Sequence, residues 1–525
     1  MGTKNFNSAT DLITFTRASG GTALRKISYG NELVTNGTFD TDLSGWTANS
    51  FATLSLSSGS IRVENNSNNL GLAIQEIDLE AGKTYHFSTN LIAINDLLAQ
   101  FTVNTSTNYS TNVAGLTNSS TTGTKTFNYT PSSSGTYYII LAHRGGNILG
   151  KYAEFDNVSV KEVLYDQPDG TLQLFNSPAN EPRIEYDADG TVKGLLIEEA
   201  RTNLLTYSED FSNGNWSEYL ATVNSNVTTA PDGSNSADSV VSQGSEGAVY
   251  RTVTASGNHT WSIYAKAFST SYLKLRTANT GEDTSFNLSG AGSVGTSNSN
   301  HTASIESVGD GWYRCVITSN STNNRFSIYA VASDNANSAS GDSLYLYGAQ
   351  LEAGAFPTSY IPTTGSTATR AADLAQIPTS AFGYNNDKGS LVIDVLTPDA
   401  DQFMILAYFN TASYLNSRGF AKANTSSTSS GNHYVNTTFH DGVSTLLQLG
   451  TQTQAEYTKL GLSYGDNEKG VRDGGTVLSG TSLSPSPTRL FLGGRDNGLQ
   501  SQCWIKSLKY YPRQLTNTQL QELTT

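Results

Sequence analysis

One stretch of this chain is spelled twice, and that repeat limits the folds open to it more than any other feature. Asn31-Glu-Leu-Val-Thr-Asn-Gly-Thr-Phe39 followed by Trp46 returns as Asn203-Leu-Leu-Thr-Tyr-Ser-Glu-Asp-Phe211 followed by Trp216. The echo continues in order. Thr84-Tyr-His-Phe-Ser-Thr89 is answered by Thr260-Trp-Ser-Ile-Tyr-Ala265, and Glu154-Phe-Asp-Asn-Val-Ser-Val-Lys-Glu162 by Leu344-Tyr-Leu-Tyr-Gly-Ala-Gln-Leu-Glu352. An offset of about 170 residues is too long for one solenoid unit and fits a whole domain used twice.

The 525 residues leave room for about three or four domains. Charged residues are only 14%, well below the roughly 25% of an ordinary soluble domain. Ser, Thr, Asn and Gly supply the polar share; they suit the solvent side of strands and tight turns and disfavour helix interiors. Val, Ile, Leu, Tyr and Phe recur in short strand-sized runs, so the composition is that of an all-β protein rather than a disordered one. A net charge of −14 without basic runs argues against nucleic acid or an anionic membrane as partner. Cys315 and Cys503 stand alone in distant segments and are expected to be free and buried, which excludes a disulfide framework. The first residues show no signal-peptide core, and no apolar run approaches the roughly 20 residues of a membrane span.

Strand alternation is clear at Ser60-Ile-Arg-Val-Glu64, Tyr137-Tyr-Ile-Ile-Leu141, Trp261-Ser-Ile-Tyr-Ala265, Phe326-Ser-Ile-Tyr-Ala-Val331 and Ser390-Leu-Val-Ile-Asp-Val395. Turn signals cluster at 166–202: Pro168-Asp-Gly170, Ser177-Pro178 and Asp187-Ala-Asp-Gly190. A single helix is predicted, over Leu515–Leu523, with Thr516 as N-cap and Gln519 completing a capping box.

The two repeats resemble jelly-roll carbohydrate-binding modules that open Asn-Leu-Leu-x-Asn-(Gly/Asp)-x-Phe and then reach a Trp. Phe15-Thr-Arg-Ala-Ser19, Pro182-Arg-Ile-Glu-Tyr-Asp187, Gly194-Leu-Leu-Ile-Glu-Glu-Ala-Arg-Thr-Asn-Leu-Leu205, Gly348-Ala-Gln-Leu-Glu352 through Pro357-Thr-Ser-Tyr-Ile-Pro362, and Ala368-Thr-Arg-Ala-Ala-Asp373 resemble a module of tailed-phage structural proteins, found in tail fibres and other virion appendages. There the first two pieces lie close together; here a jelly roll separates them, so residues 10–30 and 166–202 are expected to pack together around an insertion. Phe491-Leu-Gly-Gly-Arg495 and Trp504-Ile-Lys-Ser-Leu-Lys-Tyr-Tyr-Pro-Arg513 are similar to the end of concanavalin-A-like, laminin-G-type domains.

These resemblances imply an all-β chain of two jelly-roll β-sandwiches followed by a concanavalin-A-like β-sandwich, with little helix. The expected boundaries are 1–30 for an N-terminal attachment segment, 31–165 for an inserted jelly roll, 166–202 for a connector, 203–370 for a second jelly roll and 371–525 for the terminal sandwich. The implied role is a tail or head fibre on the virion surface, made in the host cytoplasm without a signal peptide. It would dock to capsid or tail proteins through its N-terminal region and attach non-covalently to host surface polysaccharide. Fibres of this kind are homotrimers by analogy.

Candidate chemistry is sparse. Gly341-Asp-Ser-Leu344 spells a hydrolase motif but leads into a strand, with no Asp-x-x-His to follow. The six histidines lack metal-ligand spacing. Glu198 and Glu199 are adjacent, so on a strand they face opposite sides and pair with Arg183 or Arg201 rather than flanking a glycoside. The chain is therefore expected not to be an enzyme and to need no cofactor. A structural calcium has Asp187 and Asp189 as its candidates. Tyr434, His440, Arg495, Asp496 and Trp504 are the candidates for a sugar-binding rim, Trp504 being set against a core role.

Overall fold

The computed structural model describes residues 13–95, 98–144, 148–277, 281–322, 325–398, 404–410, 416–424, 433–440, 447–452, 457–480, 486–494 and 500–525. The fold is all-β, with antiparallel pairing in every described ladder and, among the described residues, two short α-helices, Thr379–Phe382 and Asn517–Thr524. Among the described residues no helix is long and apolar enough to cross a membrane. The terminal helix carries both bonds of its capping box: the Gln519 N–H donates to Thr516 Oγ1 at 3.2 Å and the Thr516 N–H to Gln519 Oε1 at 3.1 Å.

The chain forms two compact units, residues 26–171 and residues 1–25 with 172–525. The smaller, the insert, contains the first sandwich. One of its sheets runs Thr47–Ala48, Leu72–Leu79, Gly135–His143, Ala99–Asn104, Asn112–Ser119; the facing sheet is built on Gly123–Tyr129, Tyr85–Ile94 and Tyr152–Tyr165 with Ser60–Asn65 and Ala52–Ser57. Phe39, Trp46, Phe87, Phe101, Ile139, Phe155 and Val160 fill the space between.

The larger unit, the carrier, holds two sandwiches. In the first of these, Ser217–Tyr219, Ala248–Arg251, Phe326–Val331, Tyr272–Arg276, Asp283–Asn287 and Ser293–Ser297 form a front sheet. The back sheet is Ala221–Thr228, Ala237–Ser242, Ser343–Ala353, His259–Ala267, Trp312–Ser319 and His301–Gly309. The strand order of the front sheet reproduces that of the insert's first sheet, with one strand added at the edge, so the sequence repeat is a repeat of topology. Its anchor is also the same contact made twice. The Phe39 and Trp46 rings lie 5.6 Å apart, Phe211 and Trp216 4.9 Å. Each indole N–H donates to a carbonyl on a left-handed residue: Trp46 to Asn36 (φ 51°) at 3.3 Å, Trp216 to Tyr207 (φ 54°) at 2.9 Å. In the back sheet Gly348 (φ 59°) sits where the ladder between His259–Ala267 and Ser343–Ala353 shifts register; a Cβ there would meet Tyr264 at 3.0 Å and Tyr360 at 3.1 Å.

The other carrier sandwich corrects the expected boundaries. One sheet pairs Thr14–Thr16 with Leu374–Pro378, then Arg489–Leu492, Met404–Asn410, Asn416–Asn424, His433–His440 and Leu447–Gln452. The other runs Arg183–Tyr186, Val192–Ile197, Cys503–Tyr511, Gly389–Leu396, Tyr457–Tyr464, Glu468–Arg472, Leu478–Gly480. Strands from the expected attachment segment and connector thus belong to the terminal sandwich, and Phe15, Leu195 and Ile197 lie in its core. A cut at 370 would strip edge strands from both sheets. Local sequence marks a strand but not its pairing partner, which is why 371–525 reads as complete.

Between the carrier's sandwiches lies a buried ionic cluster. Arg183 bonds Asp373 at 2.5 Å and Glu198 at 2.9 Å, Arg17 bonds Asp373 at 3.1 Å, and Arg370 approaches Glu198 at 3.4 Å; none of the five side chains is more than 1% exposed. Further bonds surround the cluster. The Ser359 N–H and Oγ–H both donate to Glu198 at 2.7 Å, Arg17 Nη2 donates to the Pro178 carbonyl at 2.7 Å, and the Arg17 N–H donates to Asn180 Oδ1 at 3.0 Å. Residues 17 and 177–183, separated by the whole insert, therefore meet here. Glu199, which like Glu198 lies just past the strand Val192–Ile197, contacts Arg201 instead. Removing one partner from such a cluster strands a buried charge at a cost of about 3–5 kcal/mol.

Two outcomes follow from this arrangement. The core of the insert lies wholly within residues 34–160 and contributes nothing to the carrier cores. Its ends are neighbours: Tyr165 pairs with Ile27, and the Asp166 N–H donates to the Lys26 carbonyl at 2.8 Å. Joining Arg25 to Leu172 through a short glycine linker is expected to leave a carrier that unfolds cooperatively in urea; a carrier without a cooperative transition would contradict this.

The second outcome concerns acid. Burial would raise Glu198, but Arg370, Arg183 and the Ser359 hydrogen bonds outweigh it and hold the carboxyl at about 2. That is below its unfolded value, so the stabilisation is complete above about pH 4.5 and is shed as pH falls towards 2, about 3 kcal/mol in all. The stability gap between wild type and Glu198→Gln, read from urea midpoints, is expected to narrow by that amount between about pH 5 and pH 2. A constant gap would mean the carboxylate is not held ionised by its arginines.

Candidate ligand-binding face

On the front sheet of the carrier's first sandwich, Val249, Leu273, Leu275, Phe286, Phe326 and Ile328 point into the core. The alternate residues point out. Register places Tyr250, Ser327, Arg276 and Asp283 in one row across four strands, with Tyr329, Lys274 and Ser285 in the next. Arg276 grips Asp283 with two bonds (2.6 and 2.9 Å) and also donates to Glu246 at 2.9 Å and to the Tyr329 hydroxyl at 3.1 Å. The Asp283 hydrogen bonds hold its pKa above the ordinary arginine value, against the opposing effect of burial. Lys274 is buried, which lowers its pKa; its Nζ donates to the Ala336 carbonyl at 2.8 Å and tethers the 332–342 loop. Arg325 lies over the Tyr250 ring at 3.7 Å while its Nε donates to Ser327 Oγ at 3.2 Å.

The equivalent face of the insert carries other chemistry. Gln100 Nε2 donates to Thr102 Oγ1 at 3.1 Å, and Thr102 Oγ1 to Asn104 Oδ1 at 2.8 Å, beside the apolar Leu72, Ile74 and Ile140. One topology thus presents a charged, half-exposed face in one copy and a buried amide ladder in the other. None of Tyr250, Glu246, Arg276, Asp283, Arg325 or Tyr329 was singled out from the sequence. The signal that could have found them is the repeat itself, used to mark outward positions on matched strands.

Of the rim residues singled out from the sequence, Trp504 alone has a described side chain. Trp504 faces away from the core formed by Cys503 and Ile505, but its indole N–H is spent on Glu185. Lys193 Nζ lies 4.6 Å above its ring and is itself bonded to Glu306 at 3.0 Å. Trp504 is therefore held by Glu185 and Lys193 of its own sheet, and it is Lys193 that reaches Glu306 of the other carrier sandwich. Arg495 and Asp496 lie outside the described residues. Tyr434 and His440 sit near opposite ends of the strand His433–His440, their side chains outside the described part.

Asp187 and Asp189 occupy one tight turn. Asp189 accepts the Thr191 N–H at 2.8 Å, which lowers its pKa, whereas burial raises that of Asp187. Among the described residues no group of three or more His, Cys, Asp or Glu is placed to hold a metal ion. Both cysteines are free and buried. Ser343 of the Gly341–Leu344 motif is buried and donates to Ser269 Oγ at 2.8 Å.

No protein-family model matches the chain, and no curated protein matches it. Solved structures that do match include the tandem CBM22 domains of Paenibacillus barcinonensis Xyn10C, at 11% identity and a TM-score of 0.21 over 62% of this chain and 97% of that one. Trypanosoma rangeli sialidase in complex with the inhibitor DANA matches at 10% identity and a TM-score of 0.23, over 95% of this chain and 94% of that one. At these scores the likeness carries no argument about the site. It does correct one expectation from the sequence: the exclusion of an enzyme does not stand, because sialidases are among the matched structures, although nothing in the match assigns an activity to this chain.

Proposed function

We propose that this chain is a tailed-phage virion appendage, of tail-fibre or head-fibre type, that adheres to host surface glycans, and that the front face of the carrier's first sandwich is a contact surface. The observation that carries this reading is the in-register row of part-exposed Tyr250, Arg276 and Asp283, which runs across the buried Ser327 and is joined by Glu246 and Arg325. Sugar hydroxyls need donors and acceptors held in fixed positions. A sheet supplies them at low entropic cost, because its backbone is already ordered by the ladder. The phage assignment rests on the motif resemblance at residues 15–19, 182–205 and 348–373. A homotrimer would multiply weak single-site contacts into useful avidity. Docking to capsid or tail proteins would fall to the N-terminal region.

A second reading, an architectural spacer that binds only virion proteins, is favoured by the internal pairing of Arg276 and Lys274, which rigidifies the face without any ligand. Binding of the full-length protein to intact host cells, with and without removal of surface polysaccharide, separates the two. Adhesion that is lost on stripping, and weakened at least about tenfold by Tyr250→Ala, is expected. Absence of cell binding by folded protein, with retained binding to purified virions, would establish the spacer instead.

A further inference from the structure

The cations on the candidate face are not equivalent. Arg276 is saturated by two carboxylates and a tyrosine hydroxyl, and Lys274 is buried on a loop carbonyl. Arg325 is the exception. It is half-exposed, and among the described residues its side chain makes one hydrogen bond, from Nε to Ser327 Oγ, with no partner for its two Nη groups. Its guanidinium is nevertheless held in place, resting on the Tyr250 ring at 3.7 Å. A stacked arginine with a free fork is preorganised to take a planar anion through two parallel hydrogen bonds.

The aromatic rings point to the same ligand chemistry. Neutral sugars are gripped by stacking on an open ring face. Here Tyr250 is covered by Arg325, and Tyr329 is buried with Arg276 at 4.9 Å and Lys274 at 5.0 Å from its ring centre. Cations occupy the positions that a pyranose would use. The chain as a whole is strongly acidic, at −14, so its long-range field repels an anionic polymer. Recognition of one would therefore depend on a short-range contact such as Arg325.

Building on the glycan-binding reading, we infer that this face selects anionic glycans and that Arg325 is the residue that takes the negative group, whether a sugar carboxylate or a sulfate or phosphate ester. The test uses the full-length protein in calorimetric titrations with four probes: a uronic-acid oligosaccharide, the same oligosaccharide after carboxyl reduction, a sulfated dextran and neutral dextran. Binding to at least one anionic probe is expected, weakened about tenfold or more by Arg325→Gln and only partly restored by Arg325→Lys, which keeps the charge but loses the planar fork, with the ligand-free melting temperature unchanged. The uronate and sulfated arms identify which negative group is read.

Equal affinity for charged and neutral probes, or anion binding indifferent to Arg325→Gln, would overturn the inference. If neutral probes bind in a Tyr250-dependent way, the glycan reading survives while the anionic one falls. If no probe and no host polysaccharide binds, both fall.

Discussion

Five buried ionic side chains, Arg17, Arg183, Glu198, Arg370 and Asp373, hold the carrier together. They come from four stretches of chain that the sequence scatters over more than 350 positions. Each charge would be prohibitive alone in a dry interior, and each is tolerable only because the others are present. The cluster therefore acts as an all-or-none closure. Once it forms, Thr14–Thr16 and Arg183–Ile197 are placed to complete the sheets of the terminal sandwich, and Ser359 fixes the approach of the preceding one. This explains why motif pieces on either side of a 146-residue insert (Lys26–Thr171) still share one set of bonds.

The repeat shows how one scaffold carries two surfaces. The Phe–Trp anchor, the left-handed carbonyl that receives the indole and the strand order are the same in both copies. These are demands of the sandwich. The outward positions are free of that demand, and there the copies diverge into a Gln100–Thr102–Asn104 ladder and an Arg276–Asp283–Glu246 network. Function is argued from these outward residues and not from the scaffold beneath them.

Much of the fold was legible in the sequence because its signals are local. Alternation marks the strands, Phe39 and Trp46 announce the first core, Thr516 and Gln519 announce the terminal helix, and Glu198 and Glu199 find the arginines expected for them, Arg183 and Arg201, although both lie between strands. Pairing partners are not local, so the terminal sandwich was read without the strands it takes from residues 14–16 and 183–197. Trp504 illustrates the same limit. An aromatic in a loop-flanked strand reads as a rim candidate until Glu185 and Lys193, more than 300 positions away, are found against it. The candidate face was missed because its members are ordinary strand residues that become a set only through register.

The claim that the carrier is closed by one coupled cluster is tested most directly by amide hydrogen exchange on wild type and Asp373→Asn. The account predicts that protection falls together at residues 17–25, 177–183, 196–203 and 356–373, since all four stretches bond to the same few side chains. Loss of protection confined to the neighbourhood of residue 373, with the other three stretches unchanged, would contradict it.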